Sequence, residues 1–461
     1  MGGEATPPEL DVALDIFGQR LVTIFTQISF CFQTPDASAT QNALETLRRG
    51  MQRLAVHFPW VAGQVVCENA SPHSSGIYKM KALHDTPRLS IKDLSNDTSM
   101  PSMNELRRSG FPMRCLDEEL VAPRKSNSGG PREKIAEVFQ VQATIINDGL
   151  ILTFLGQHQS MDGVGQNQVI NLLAKACAGE AFTAEELRIG NMAREEIVPL
   201  LGPSWSPSRE LEHNIIKMDP QEAGPGSMRS KMPDDKGVWC HFGMSRGALQ
   251  ALKEQATSTM PPTTKFVSTD DAITAFVWQS ITRVRYSSFD PATKTFLGRA
   301  VDLRRYLAIP QEYPGFIQSM AYNEFTMEQL LNSPLGVISA ALRAEVDTES
   351  SSMAYHAQSF ATLISRTADK TRTSYIGGFD MLRDVMISSW SNQNSYDLDF
   401  GFGLGTPEAV RRPKFDGFQG LAYLMPRDRN GDIGVAICLD EKDMLKLRED
   451  EQFCCYATCI G

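Results

Sequence analysis

Apolar and polar positions follow two different periods near the start of the chain. Residues 21–33 alternate apolar and polar side chains, which predicts a β-strand. In residues 38–58 the apolar positions recur at helical spacing after a Ser/Thr start, which predicts an amphipathic helix. Pro59 ends that helix, and residues 61–67 predict a further strand.

A β-hairpin followed by a helix is predicted further along. The β-rich runs 137–146 and 150–155 are joined by Asn-Asp-Gly, a strong hairpin turn signal. Residues 164–177 follow with helical periodicity. His158 therefore stands just beyond the second strand of the hairpin. Asp162 lies near the start of the helix, where the helix dipole favours a carboxylate.

The second half of the chain repeats this mixture of strands and helices. Residues 200–237 are rich in Pro, Gly, Ser and charged side chains, which predicts a crossover linker between domains at 1–199 and 238–461. Beyond it the patterns predict a strand at 238–242, a helix opening at Ser245, a helix from Ser268 to Arg285, a strand at 383–390 and a hairpin over 420–438. Both halves thus predict a mixed α/β fold.

Composition narrows the class of protein. The chain has 461 residues, 42% of them hydrophobic, and a net charge of -10, which argues against binding to nucleic acid or to an anionic membrane. It has neither an apolar run long enough to span a bilayer nor an apolar secretory leader. The 9 scattered cysteines are typical of reduced thiols, and no His or Cys spacing fits a metal site. We therefore expect a cytoplasmic monomer without bound metal.

The most informative local pattern is HQSMDG, which begins at His158 and continues through Asp162 and Gly163. A histidine holds or releases a proton near neutral pH, so His158 suits a general base at the end of a buried strand. The same residues also fit a structural role, with His158 ending a strand and Asp162 capping the next helix. Asp162 itself is expected to point away from the imidazole, because a turn separates the two residues.

Five segments in order along the chain carry a resemblance to a known family. They are FPWVAGQV (58–65), GQHQSMDGVGQ (156–166), KFVSTDDAITAFVWQSITRVR (265–285), AVDLRRYLAIPQEYPGF (300–316) and ISSWSNQNSYDLDFGFGLGTPEAVRRP (387–413). The chain resembles the CoA-dependent BAHD-type acyltransferases, and most closely the fungal trichothecene 3-O-acetyltransferases. Three positions depart from the usual patterns. Phe402 stands for the tryptophan of D-F-G-W-G, Phe316 replaces an asparagine, and Gln157 replaces the second histidine of peptide-forming condensation domains.

The resemblance implies a fold and an activity. The fold would be α/β, with two chloramphenicol-acetyltransferase-like domains, mixed sheets flanked by helices, and the active site in a channel between them. The activity would be transfer of an acetyl group from acetyl-CoA to a hydroxyl of a fungal secondary metabolite, with the 3-hydroxyl of a trichothecene as the candidate acceptor. Acetyl-CoA would be a co-substrate and not a resident cofactor. His158 would be the general base. No G-x-S-x-G nucleophile is present, which favours direct transfer without an acyl-enzyme.

The resemblance also implies structural support around the base. Asp162 would form an ion pair with Arg304, with Arg305 as the neighbouring alternative, and Gly163 would allow the turn. Asp399, Gly401 and Gly403 would shape the D-F-G-x-G element without touching substrate.

Two further groups are candidates for substrate contacts. Ser389 and the indole N–H of Trp390 are candidate oxyanion donors, although a sheet hydroxyl and a core tryptophan would look the same. Candidate contacts for the CoA phosphates are Arg411, Arg412, Lys414 and Lys265, and a solvated basic face is the alternative.

Other activities stay open on the sequence alone. The acceptor could be an alkaloid, a polyketide or a polyamine, and the last would make the reaction N-acyl transfer. A non-catalytic CoA-binding relative of the same fold is the remaining alternative.

Overall fold

The computed structural model describes residues 10–20, 24–83, 89–127, 136–216 and 237–461. The first residues of the predicted strand at 21–33 and most of the predicted linker at 200–237 lie outside these ranges. The described part is a mixed α/β protein, as predicted.

The strands are numbered in chain order. They are β1 (Asp11–Ala13), β2 (Phe25–Gln33), β3 (Gln64–Glu68), β4 (Ile77–Lys81), β5 (Leu89–Asp93), β6 (Phe139–Ile146), β7 (Gly149–Gln157), β8 (Val238–Met244), β9 (Lys294–Asp302), β10 (Gln318–Thr326), β11 (Val385–Ser389), β12 (Ala409–Arg411), β13 (Leu421–Leu424), β14 (Ile433–Leu439) and β15 (Thr458–Cys459).

The α-helices are α1 (Ala37–His57), α2 (Met103–Arg108), α3 (Glu118–Val121), α4 (Gly163–Cys177), α5 (Ala184–Gly190), α6 (Arg246–Thr259), α7 (Thr269–Arg285), α8 (Met327–Asn332), α9 (Leu335–Val346), α10 (Met353–Arg366), α11 (Glu441–Glu449) and α12 (Glu451–Cys454). Within the described ranges, none of them combines the length and the apolar character needed to cross a bilayer.

Two large sheets organise the molecule. The first has five strands in the order β12-β2-β7-β6-β5, and the second has seven in the order β10-β9-β11-β13-β14-β8-β15. Both mix parallel and antiparallel neighbours, since β5 runs parallel to β6 and β11 runs parallel to β9 and β13. A small three-stranded sheet, β1-β4-β3, stands beside the first.

One strand of the first sheet comes from the far end of the chain. In β12, Val410 pairs with Phe30 of β2, so the C-terminal half contributes an edge strand to the N-terminal sheet. We retain 1–199 and 238–461 as proposed domains, with β12 as the strand that crosses between them.

Each large sheet is covered by apolar helices. Helices α1 and α4 pack on the first sheet through side chains such as Leu47, Leu54 and Leu173, which are completely buried. Helix α7 packs on the second sheet, where Trp278 is buried and donates a hydrogen bond to Thr295. Each such side chain stabilises the fold by about 1.5–3 kcal/mol.

Most elements predicted from periodicity are confirmed. Helix α1 begins after Asp36, whose carboxylate accepts a hydrogen bond from the Ala39 N–H at 2.8 Å. The hairpin turn is confirmed, and Asp148 adopts the positive φ of 57° that Asn and Asp tolerate best after glycine. Ser268 caps α7 as predicted. The strand predicted at 61–67 starts only at Gln64, because residues 59–62 form a 3₁₀ turn.

Candidate active site

His158 lies between the end of β7 and the start of α4. Its backbone N–H donates to the Ile24 carbonyl at 3.0 Å, which extends the pairing of β7 with β2 by one residue. Gln157 closes the turn that follows, because its side-chain oxygen accepts from the Ser160 N–H and its carbonyl accepts from the Ser160 hydroxyl. The imidazole is therefore carried by a short loop, residues 158–162, which is fixed at both ends and is called the histidine loop below.

The imidazole is oriented by one hydrogen bond and one aromatic contact. His158 Nδ1 lies 3.2 Å from the Met161 carbonyl oxygen. A carbonyl can only accept, so Nδ1 carries the proton and Nε2 keeps its lone pair. The ring of Phe316 meets the imidazole edge to face at 5.1 Å. Phe316, which replaces the asparagine found in other family members, thus packs directly against the candidate base.

The environment of His158 favours the neutral ring. Removal from solvent lowers the pKa of His158 to about 4, whereas the Met161 carbonyl and the Asp162 charge oppose this shift. The positive charges of Arg412 and Arg20 lower the pKa further. At neutral pH the imidazole is therefore uncharged and able to accept a proton.

Asp162 points away from the imidazole and into a buried ion pair. Its Oδ2 lies 3.0 Å from Arg304 Nη1, and both side chains are almost wholly buried. Oδ1 caps α4 by accepting from the Gly165 N–H at 2.7 Å, and Oδ2 also accepts from the Ile317 N–H at 2.7 Å. The structure pairs Asp162 with Arg304, whereas Arg305 bonds to the Tyr306 hydroxyl.

Arg304 connects Asp162 to the segment that carries Phe316. Its Nε donates to the Tyr313 carbonyl at 2.9 Å and its Nη2 to the Gly315 carbonyl at 2.8 Å. The carboxylate of Asp302 accepts from Nη1 at 2.8 Å. One buried guanidinium therefore holds the histidine loop against the segment that packs on the imidazole.

A second buried ion pair supports the same loop and was missed in the sequence. Arg194 Nη1 lies 2.9 Å from Asp15 Oδ2, and also donates to the Ser160 carbonyl at 2.6 Å. Asp15 accepts in addition from the Phe316 N–H at 3.0 Å and from the Tyr313 hydroxyl. No local pattern marks Asp15 or Arg194, because neither residue lies in a recognisable motif.

The two candidate oxyanion donors differ in whether their hydrogen is already bonded to another residue. The Ser389 hydroxyl donates to Asp270 Oδ2, and the Ser391 hydroxyl shares the same acceptor. The indole N–H of Trp390 has no hydrogen-bond partner in the described part of the chain, and a side chain at Gly163 would come within 3.2 Å of it. The tryptophan therefore packs closely against Gly163 at the start of α4, where a larger residue would be tight.

The D-F-G-F-G element lies at the other end of α4. Gly401 and Gly403 have φ of 66° and 76°, which only glycine adopts without strain, and Asp399 accepts from the Gly401 N–H. Gly401 approaches Ala178, just beyond the last residue of the helix. Since α4 has 15 residues, this element is roughly 22 Å from its start. The structural role of this element stays a prediction.

The four candidate phosphate contacts have no partner in common. Arg411 donates to the Phe111 and Gly110 carbonyls and to the Tyr396 hydroxyl, whereas Arg412 is buried among Trp390, Phe415 and Tyr423. Lys414 pairs with Asp117, and the exposed Lys265 pairs with Glu349. The basic run is therefore no continuous patch, and its role in CoA binding stays a prediction. Among the described residues, no group of His, Cys, Asp and Glu could hold a metal ion.

Comparison with known proteins gives a consistent result over the whole chain. Residues 24–177 match the Trichothecene 3-O-acetyltransferase-like N-terminal domain, and residues 120–454 match the Transferase family. The chain is 41% identical to O-acetyltransferase dmxR13 of Cryptosporiopsis sp., with 100% of each chain covered. It is 40% identical to trichothecene 3-O-acetyltransferase TRI101 of Fusarium sporotrichioides, covering 98% of this chain and 97% of that one.

Solved structures give the same picture. The crystal structure of F. graminearum TRI101 complexed with coenzyme A and deoxynivalenol superposes with a TM-score of 0.93 at 38% identity, covering 98% of this chain and 100% of that chain.

Proposed function

The chain belongs to the Transferase family of CoA-dependent acyltransferases and carries its trichothecene 3-O-acetyltransferase-like N-terminal domain, and from this membership we propose that it transfers an acetyl group from acetyl-CoA to a hydroxyl of a secondary metabolite. The proposed acceptor is the 3-hydroxyl of a trichothecene, and the proposed base is His158. The orientation of His158 carries the proposal, because Nδ1 is bonded to the Met161 carbonyl and Nε2 is left free. Location in the cytoplasm and a monomeric state remain predictions.

The proposed reaction needs only one proton carrier. His158 Nε2 takes the proton of the acceptor hydroxyl while the oxygen attacks the thioester carbonyl carbon, which gives a tetrahedral oxyanion. Collapse of this intermediate breaks the carbon–sulfur bond, and the departing CoA sulfur takes the proton back from His158. The products are the acetyl ester and free CoA, and the imidazole is neutral again.

Trp390 is the better-supported of the two oxyanion donors. The Ser389 hydrogen is already bonded to the Asp270 carboxylate, which is a stronger acceptor than a neutral oxygen. The indole N–H of Trp390 makes no such bond among the described residues and faces Gly163, next to the histidine loop. A preorganised donor of this kind stabilises charge that develops in the transition state.

The acceptor class is tested by a direct assay. Purified protein is incubated with acetyl-CoA and deoxynivalenol, free CoA is followed by a thiol reagent, and the product is identified by mass spectrometry as the acetyl ester. We expect CoA release that depends on the acceptor, with a mass increase of one acetyl group. CoA binding without transfer to deoxynivalenol or to other hydroxylated metabolites would favour the non-catalytic alternative. Transfer to other alcohols alone would keep the activity and reject the trichothecene acceptor.

The pH dependence tests the state of His158. Because the base must be neutral, kcat/KM falls as pH drops through the pKa of His158, which burial lowers to about 4. We therefore expect kcat/KM to be nearly constant from about pH 7 down to about pH 5, and to be halved near pH 4. Far-UV circular dichroism at each pH separates this loss from acid unfolding. Halving near pH 6.5, the usual value for an exposed imidazole, would contradict the proposed environment of the base.

A further inference from the structure

Two buried arginines near His158 lack the carboxylate partner that buried arginines usually have. Arg20 is 3% exposed and Arg412 is 5% exposed. The Nε of each has no hydrogen-bond partner, and neither guanidinium forms an ion pair within the part of the chain that the structure describes. Arg304 and Arg194, by contrast, are paired with Asp162 and Asp15. The unpaired cations therefore stand out against their paired neighbours.

Arg20 reaches the site through a row of aromatic rings. Its guanidinium lies 3.6 Å from the centre of the Tyr375 ring, and Tyr375 stacks on Phe316 at 6.1 Å. Phe316 in turn contacts the imidazole of His158. The Gln159 amide donates to the Arg20 carbonyl at 2.6 Å and so ties this residue to the histidine loop. The Arg20 guanidinium thus lies behind the aromatic rings that pack on His158.

Arg412 lies behind Trp390. Its guanidinium is 5.6 Å from the centre of the Trp390 ring and 4.1 Å from that of Phe415. The Trp390 indole itself faces Gly163, next to the histidine loop. Positive charge therefore acts on His158 from two different elements, one at each end of the chain.

The other charged groups around His158 do not cancel these cations. Asp162 is compensated by Arg304 and Asp15 by Arg194, both at ion-pair distance. The phenols near Arg20, those of Tyr322 and Tyr375, are uncharged, because burial raises the pKa of each. Glu118 is the carboxylate whose charge acts on Arg412, but within the described residues it forms no ion pair with Arg412 and accepts instead from the Ser126 N–H at 2.6 Å. The uncompensated charge around the base is therefore positive.

A buried charge without a partner is costly to maintain, and its field is weakly screened. The field of such a cation disfavours any second positive charge nearby, whether on the imidazole or on a bound substrate. We propose that Arg20 is a positioning residue that sets acceptor selectivity, because its fixed cation, held behind the aromatic rings beside the base, disfavours a second positive charge there and so rejects protonated amines in favour of neutral or anionic hydroxyl acceptors. This inference rests on the proposed function and deepens it, because it names the residue that makes the enzyme prefer O-acyl transfer to N-acyl transfer.

The variant Arg20→Met removes the charge while keeping an apolar stem against Tyr375. The effect of this variant on the base is measured by NMR, which follows the titration of the His158 ring signal. That signal is assigned as the one that disappears in His158→Ala. We expect the midpoint to rise by about half a pH unit or more, because one cation has been removed. The acid limb of kcat/KM should move by the same amount. Arg20→Lys keeps a positive charge and should restore both.

Arg53→Met is the matched control. Arg53 also stacks on an aromatic ring, Phe182, at 5.3 Å, but it lies near Ala176 at the far end of α4. The control loses one charge from the protein as a whole, and we expect no change in the His158 titration.

Acceptor selectivity is the second readout. With acetyl-CoA fixed, spermidine and deoxynivalenol compete, and the ratio of their kcat/KM values is compared between variants. We expect Arg20→Met to raise the amine-to-alcohol ratio at least about five-fold, since the loss of one repulsive charge is worth roughly 1 kcal/mol. An unchanged His158 titration and an unchanged ratio would overturn the proposal.

Stability separates a structural role from the proposed one. Removing an unpaired buried charge should not destabilise the fold, so the Tm of Arg20→Met is expected to match or exceed that of the wild type. A fall of more than about 5 °C, or failure to fold, would assign Arg20 to structure and contradict the inference. If the wild type acetylates neither acceptor, the proposed function fails, but the NMR titration still decides whether the Arg20 charge acts on His158.

Discussion

The variant His158→Ala is expected to lose acetyl transfer almost completely, with kcat/KM lower by about 10²- to 10⁴-fold, the range that general-base catalysis contributes. The reason is geometric. The bond between Nδ1 and the Met161 carbonyl presents Nε2 as the proton acceptor, and the turn places no second histidine beside it. The measurement is initial-rate CoA release at saturating acetyl-CoA over a range of acceptor concentrations.

The loss should appear in kcat and not in binding. The alanine variant keeps the backbone bond from residue 158 to the Ile24 carbonyl, and the capping of α4 by Asp162 does not involve the imidazole. We therefore expect the dissociation constant for CoA, measured by calorimetry, to change by less than about three-fold, and Tm to change by only a few degrees.

His57→Ala is the control for loss of an imidazole elsewhere. His57 ends α1, contacts the Phe182 ring at a tilted angle and bonds to the Arg53 carbonyl, so its removal changes packing without touching the site. We expect its kcat/KM to stay within about two-fold of the wild type. Activity retained by His158→Ala would exclude this histidine as the base and leave the mechanism without a proton acceptor.

Local patterns were sufficient for the part of the site that is continuous in sequence. The Asn-Asp-Gly turn fixed the register of β6 and β7, and hence the position at which His158 leaves the sheet. Asp162 was placed at the start of α4 by charge and periodicity, and it is the observed N-cap. These features depend on neighbouring residues, so their signal lies within about twenty positions.

Long-range partners could not be obtained in this way. Asp162 and Arg304 are separated by 142 positions, and only resemblance suggested that they pair. Asp15 and Arg194 belong to no pattern, although they hold the same loop. Their partnership is set by the packing of both halves of the chain, which periodicity does not encode.

The neighbouring arginines of the basic run do not lie together in the fold, and a role for them in CoA binding stays a prediction. Arg411 and Arg412 are consecutive residues at the end of an extended strand, so their side chains leave it in opposite directions. Arg411 reaches the Phe111 and Gly110 carbonyls, whereas Arg412 enters the aromatic cluster around Trp390. A cluster of like charges along a strand is therefore weak evidence for a phosphate site, and Arg412 acquires a different importance as a cation near the base.

The variant Asp162→Ala is expected to lose both stability and activity. It removes the buried carboxylate partner of Arg304 and leaves the guanidinium with only the partly exposed Asp302, which costs about 3–5 kcal/mol in the free energy of unfolding. It also removes the N-cap of α4, worth about 1 kcal/mol. Since the histidine loop and the Phe316 segment are both held through this pair, we expect kcat/KM to fall as well. Urea unfolding followed by circular dichroism gives the first quantity, and the CoA-release assay gives the second.

Asp302, the partly exposed partner of Arg304, provides the control. Asp302 also bonds to Arg304, but its side chain is 25% exposed, so Asp302→Ala should cost no more than about 1 kcal/mol. The double variant Asp162→Ala/Arg304→Met removes the stranded charge, and it should be less destabilised than the sum of the single variants.

Comparison of the His158 and Asp162 variants distinguishes a catalytic role from a structural one. His158→Ala should lose turnover with the unfolding free energy nearly intact, whereas Asp162→Ala should lose the two together. Asp162 contacts Arg304, Gly165 and Ile317 in the interior, and none of these contacts offers its carboxylate to a substrate. If Asp162→Ala kept the full unfolding free energy but lost turnover, the carboxylate would have a direct role in the reaction that its buried ion pair argues against.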